Sequence, residues 1–209
     1  MPSTNLFIAL EGIDGSGKST QVNLLAEKLK AEGHKVYTTC EPTDSTYGKL
    51  IRQIFKSEKE ASHEVIAALF LADRLEHIGN KENGLLKKLQ QGFTVITDRY
   101  YFSSYAYHGV HMDMQWVIQA NSICAKLLRP DLNLYIDVDP KISMERIRKN
   151  RTDTELYETL DNLQKVASKY KEAFTSQNST EHIISVNGNQ PAQEIANTIW
   201  DVVSKMLHN

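Results

Sequence analysis

At 209 residues, with 41% hydrophobic and 24% charged side chains, the chain is long enough to bury a sizeable core and is neither disordered nor fibrous in composition. A formal net charge of −2 argues against a surface built to coat nucleic acid, which is usually basic. The two cysteines, Cys40 and Cys124, form no CxxC and have no histidine pair nearby, which argues against a disulfide scaffold or structural zinc site and points to a reducing compartment.

The N-terminal MPSTNLFIALEG lacks a basic segment leading into a long apolar core, so no signal peptide is expected. The longest apolar run, Val65 to Ala72, has eight residues, against the roughly 20 needed to span a bilayer. The expectation is a cytoplasmic protein with no membrane or nucleic-acid partner.

In chain order, apolar β-rich runs predict strands at Leu6–Leu10, Val36–Thr39, Phe93–Thr97, Leu132–Val138 and His182–Val186. They are near-continuously apolar, as strands covered on both faces are. Helical patterns lie between them at Ser19–Glu32, Thr46–Ser57, Ser62–Gln90 (broken near Gly79–Asn83), Met114–Leu128, Lys141–Asn150, Thr154–Phe174 and Pro191–Leu207. Asp139 and Pro140 read as the N-cap and first residue of the fifth of these. Such alternation predicts an α/β fold, a five-stranded parallel sheet flanked by helices, within a single domain over 1–209.

The stretch EGIDGSGKST follows the first strand. Gly12-Ile13-Asp14-Gly15-Ser16-Gly17-Lys18-Ser19 satisfies G-x-x-x-x-G-K-[ST] between a predicted strand and helix, the context a phosphate-binding loop requires. Its backbone N–H groups would cradle ATP phosphates, through Thr20 at the helix start. Lys18 would reach the β- and γ-phosphates, and the Ser19 hydroxyl would ligate Mg²⁺. Asp14 is unexpected there, because a carboxylate beside phosphates is electrostatically costly. It suggests a directed contact; loop rigidification by an Asx-type turn is the alternative.

A second cluster, ITDRYYFSSYAYHG, begins at Ile96, at the carboxyl end of the third strand, where open α/β sheets bind ligands. Asp98 could hold Mg²⁺ through water, and Arg99 offers a planar donor set suited to phosphate. Ser103, Ser104 and Tyr107 bring hydroxyls suited to a sugar. A strand-end ion pair followed by an aromatic core helix would leave the same pattern.

Taken with E-P-T at Glu41–Thr43, L-F-L-A-D-R at Leu69–Arg74 and P-D-L-N-L-Y-I-D-V-D-P at Pro130–Pro140, these blocks resemble the thymidylate kinases, in the order that family has them. The resemblance implies a P-loop nucleoside-monophosphate kinase fold, Mg²⁺ as cofactor, ATP and dTMP as substrates, and a homodimer. It implies that Phe70 stacks on thymine and Arg74 reads a thymine carbonyl. Arg99 would bind the acceptor phosphate, while Ser104 and Tyr107 line the sugar. Glu41 and Pro42 would shape the acceptor-side turn, and Asp14 would accept a hydrogen bond from the 3′-hydroxyl.

Some of these kinases carry an arginine directly after the loop aspartate, and others bring one from a lid. This chain has Gly15 there and resembles the second group, with a lid at about 146–155 and Arg148 or Arg151 as its catalytic arginine beside Lys18 and Arg99. Two departures touch acceptor binding: Cys40 stands where the family often has Arg, and His108 where it often has Gln. Rival readings are a kinase of another deoxynucleoside or of dCMP, and a GTPase-type switch. The switch would need N-K-x-D, but Asn80-Lys81-Glu82-Asn83 ends in Asn.

Overall fold

The computed structural model describes residues 5–150 and 156–207. Five strands, β1 (Phe7–Glu11), β2 (Val36–Cys40), β3 (Thr94–Asp98), β4 (Leu132–Asp137) and β5 (Ile183–Asn187), form one sheet in the order β2-β3-β1-β4-β5. Every pairing is parallel. The helices between them are α1 (Lys18–Ala31), α2 (Thr46–Phe55), α3 (His63–Gly79), α4 (Leu85–Gln90), α5 (Tyr101–His108), α6 (Met114–Leu127), α7 (Pro140–Asn150), α8 (Leu160–Gln177) and α9 (Ala192–Leu207).

The two faces of the sheet follow from the period of two along each strand. Leu6, Ile8 and Leu10 point to the face covered by Val22, Leu25 and Leu29 of α1 and by Ile195, Ile199 and Val203 of α9. Phe7 and Ala9 point to the other face, packed against aromatic α5 and α8. The central strands β1, β3 and β4 are buried nearly throughout, as continuous apolar runs predict. The edge strands β2 and β5 are half-exposed, because each has a neighbour on one side only.

Local signals set the helix ends. Ser45, Ser62 and Thr159 each accept a backbone N–H in the first turn of α2, α3 and α8. The long helical pattern divides at Gly79: Asn80 Oδ1 accepts from the backbone N–H groups of Glu82 and Asn83, and α4 begins at Leu85.

Two elements differ from the sequence pattern. α8 starts at Leu160 rather than Thr154, because Tyr157 is drawn into an aromatic cluster with Phe55, His63 and His111. α5 has no counterpart among the predicted helices. All eight of its residues are buried, so it carries no amphipathic stripe to betray it.

Candidate active site

The carboxyl ends of β1 and β3 lie side by side, with Leu10 in register with Asp98, and the loop from Gly12 to Lys18 crosses above them. Gly12 and Ile13 form its floor: Ile13 is wholly buried, and a Cβ on Gly12 would meet the Ile136 carbonyl oxygen at 3.0 Å. Asp14 to Thr20 line a cleft of about 700 Å³. Lys18 Nζ donates to the carbonyls of Gly12 at 3.0 Å and Ile13 at 2.9 Å, so its ammonium sits within the loop. Burial pulls its pKa down to about 8.

Ser19 and Asp98 meet although 79 positions separate them: the Ser19 hydroxyl donates to Asp98 Oδ2 at 2.6 Å. A hydroxyl and a carboxylate beside a phosphate loop are hard oxygen donors of the kind Mg²⁺ prefers, since that ion keeps several waters and takes few protein ligands. No cluster of three or more His, Cys, Asp or Glu suited to a metal occurs among the described residues. The donor chemistry of the Ser19–Asp98 pair suits that ion.

Arg99 has φ of +74°, in the left-handed region that non-glycine residues rarely occupy. Its backbone N–H donates to the Leu10 carbonyl at 2.9 Å, which fixes the turn. The guanidinium then faces Asp14, whose Oδ1 accepts from Nη2. Asp14 Oδ2 accepts from the Tyr107 hydroxyl at 2.7 Å, and the Asp14 backbone N–H donates back to that hydroxyl at 2.9 Å. Asp14, Arg99 and Tyr107 thus form one preorganised group on the cleft wall.

Beyond it the cleft is lined by Glu41, Pro42, Arg52, Phe70 and Ser104, with His108 beside Phe70 at 5.3 Å between ring centroids. The two sequence blocks E-P-T and L-F-L-A-D-R bind each other here. Asp73 accepts from the Thr43 backbone N–H at 2.7 Å, and Arg74 donates to Glu41 Oε2 from Nε at 2.9 Å and Nη2 at 2.6 Å. Glu41 Oε1 lies 3.1 Å from His77 Nδ1.

Arg74, expected to read a base carbonyl, is engaged here by protein groups. It is fully buried, and the cleft lining does not include it. A guanidinium has five N–H donors. All are taken here: two by Glu41, and the others by Ser104 Oγ, Asn121 Oδ1 and the Tyr100 carbonyl. In this arrangement Arg74 braces Glu41 and Ser104.

α7 closes the cleft from above the loop. Ile147 and Arg146 line it, and Arg146 also donates to the Gly188 carbonyl at 3.0 Å. Arg148 is exposed and outside the lining, and Arg151 lies outside the described residues.

The sequence pattern did not single out four of the site's residues. Arg146 sits in the basic stretch but was one of several arginines there. Arg52 donates to the carbonyls of Pro42 at 2.6 Å and Thr43 at 2.5 Å, bringing a cation to the turn beside Cys40, with no local signal to announce it. Tyr157 enters from the segment before α8, where a helix was expected. Glu11 ends an apolar strand with a fully buried carboxyl. A charged residue closing such a run is the signal that could have marked it.

Comparisons with known proteins agree with this geometry. The family model described as "Thymidylate kinase" matches residues 10–199. Three proteins named "Probable thymidylate kinase" illustrate the likeness. That of Pyrococcus horikoshii is 44% identical over 78% of this chain and 80% of its own. That of Archaeoglobus fulgidus is 38% identical over 97% of each, and that of Methanocaldococcus jannaschii 34% identical over 98% of each.

Proposed function

The chain belongs to the thymidylate kinase family, and from that premise we propose that it transfers the γ-phosphoryl group of ATP to dTMP, giving dTDP and ADP for nucleotide biosynthesis. One observation carries the reading: a single cleft runs from the loop and the Ser19–Asp98 pair at one end to Phe70, Ser104 and Tyr107 at the other, with Arg99 and Asp14 between. That is the layout needed to align a donor triphosphate with an acceptor monophosphate.

Phosphoryl transfer asks little covalent chemistry of a protein, and catalysis consists of alignment and charge cancellation. Backbone N–H groups of Gly15 to Ser19 and the Lys18 ammonium hold the donor phosphates. Lys18 gives up its contacts to Gly12 and Ile13 for phosphate oxygens. The Ser19 hydroxyl and Asp98 would hold Mg²⁺, which would supply charge neutralisation at the donor phosphates. Arg99 and Arg52 hold the acceptor phosphate, whose oxygen is already ionised at neutral pH and needs no general base.

Phe70 offers its ring face to thymine, and Asp14 accepts from the 3′-hydroxyl. Tyr107, tied to Asp14, crowds the place of a 2′-hydroxyl and favours deoxyribose. Arg151 or Arg148, from the basic stretch at about 146–155, would supply the cation for the transferred group.

An exposed apolar stripe on α6 supports a homodimer. Trp116, Ile123 and Leu127 are each about half-exposed and lie seven and four positions apart, on one helix face. No helix among the described residues is long and apolar enough to cross a membrane, and we place the enzyme in the cytoplasm.

The test is an ATP-consumption assay with dTMP, dUMP, dCMP, the ribonucleotide of thymine and thymidine as acceptors. Turnover should be fastest with dTMP and weak with the ribonucleotide. Activity on thymidine with none on dTMP would overturn the proposal.

A further inference from the structure

Under the phosphate loop lies a carboxyl that the reaction above does not use. Glu11 closes β1 and is fully buried. Its Oε1 accepts from the Tyr100 backbone N–H at 2.9 Å. Its Oε2 is placed to accept from the Ser103 hydroxyl at 2.6 Å and the Tyr170 hydroxyl at 3.0 Å, those two hydroxyls are 2.8 Å apart, and Tyr170 also reaches the Gly12 carbonyl at 3.4 Å.

Three oxygens are thus mutually within hydrogen-bonding distance. Each pair is joined by a hydrogen bond only if three protons are present, and each hydroxyl brings one. A proton on the carboxyl supplies the third. An ionised Glu11 leaves one pair of oxygens facing each other without a proton, in a fully buried site.

The same ring holds Arg99 by two routes. Tyr100, whose N–H is bound by Glu11, directly follows the left-handed Arg99. Ser103 Oγ also accepts from Arg99 Nη1 at 3.2 Å. We infer that Glu11 is a positioning residue that keeps a proton in the folded enzyme. With the proton in place Arg99 faces Asp14 and the acceptor; losing it draws the guanidinium down toward β1.

The charged and titratable groups facing Glu11 are Arg99 from the turn after β3, Lys18 from the start of α1, Tyr170 from α8 and Tyr135 from β4. Burial outweighs the Ser103 hydrogen bond and the Arg99 charge, and lifts the Glu11 carboxyl to about 7. The handover therefore falls within the working range of a neutral enzyme. The inference rests on the dTMP kinase reading only for what Arg99 holds.

Two measurements test it on the full-length protein. In glutamate ¹³C-carboxyl NMR between pH 5 and 9, one resonance should titrate near neutrality and be absent from Glu11→Gln. The Arg99 side-chain ¹⁵N–¹H signal, assigned with Arg99→Lys, should move with the same midpoint in the wild type and stay still in Glu11→Gln. In kinetics, the wild-type KM for dTMP should rise roughly threefold or more from pH 6 to pH 8 with kcat moving less. Glu11→Gln, whose amide can both accept and donate as the protonated acid does, should show a flat KM. Ionisation of dTMP itself is common to both enzymes and drops out of the comparison.

A Glu11 carboxyl at the ionised shift throughout the range would overturn the retained proton, and one protonated throughout would overturn its loss near neutrality. A titrating carboxyl with a motionless Arg99, or with identical KM profiles for the two enzymes, would overturn the positioning role. Inactivity on dTMP would sink the substrate reading alone, because the NMR arm needs no substrate.

Discussion

A Cβ on Gly15 would lie 2.5 Å from the Ser143 carbonyl oxygen and 2.9 Å from Ile147 Cγ1, both on α7. The loop and α7 are therefore in direct backbone contact at the position after Asp14, where φ is +75°. A side chain of any kind is shut out there, arginine included, so a cation for the transferred phosphate has to arrive from elsewhere. Gly15→Ala should cost about 1–3 kcal/mol of stability from the strained φ alone. It should also lower kcat/KM for ATP, because the loop must move off α7. Thermal unfolding and ATP kinetics measure the two effects. An alanine variant with unchanged Tm and KM would mean that the contact yields without cost.

The lid supplies that cation in the proposed mechanism. Arg148 is exposed and outside the cleft lining, and Arg151 lies outside the described residues, so both stand as candidates. Arg151→Ala or Arg148→Ala should lower kcat at least 10²-fold, about 2.7 kcal/mol, with a smaller change in either KM. Steady-state kinetics on Arg148→Ala and Arg151→Ala separate the two. Near-normal turnover in both would remove the lid arginine from the mechanism.

Asp98 is held by the Ser19 hydroxyl at 2.6 Å. If the pair holds Mg²⁺, with Asp98 acting through water, Asp98→Asn should raise the Mg²⁺ concentration needed for half-maximal rate by about 10–100-fold. Turnover at saturating Mg²⁺ should recover in part. An unchanged Mg²⁺ dependence would place the ion elsewhere.

The sequence made the sheet legible because central parallel strands are apolar on both faces, and β1, β3 and β4 are buried as their runs imply. The loop was legible because each motif residue serves a local geometry. Arg74 was not: its place depends on Glu41, Ser104 and Asn121, which come from three distant segments. No spacing along α3 encodes that five donors will be spent inside the protein. α5 escaped for the opposite reason, since burial on every side erases the helical stripe. Glu11 was visible as a residue but not as a proton holder, because its partners Ser103 and Tyr170 lie 92 and 159 positions away.

Two buried groups should tilt stability against pH in opposite directions. Burial lifts Glu11 from 4.5 to about 7, so the native state keeps a proton that the unfolded chain has lost. Its stabilising contribution is full below about 4.5 and declines as pH rises to about 7. Burial also pulls His108 from 6.5 down to about 3, and its Nδ1 has no hydrogen-bond partner. Its contribution is full above about 6.5 and declines as pH falls to about 3. Each group contributes a slope of about 1.4 kcal/mol per pH unit in its window. Between 4.5 and 6.5 the two slopes oppose and cancel. Glu11→Gln leaves only the histidine slope, so its stability relative to wild type should rise with pH across that interval. His108→Gln leaves only the glutamate slope, so its relative stability should fall. Denaturant unfolding at pH 4.5, 5.5 and 6.5 on the three proteins measures both, and each difference from wild type cancels the remaining titrations. Parallel curves would mean that neither group holds its native protonation against solvent.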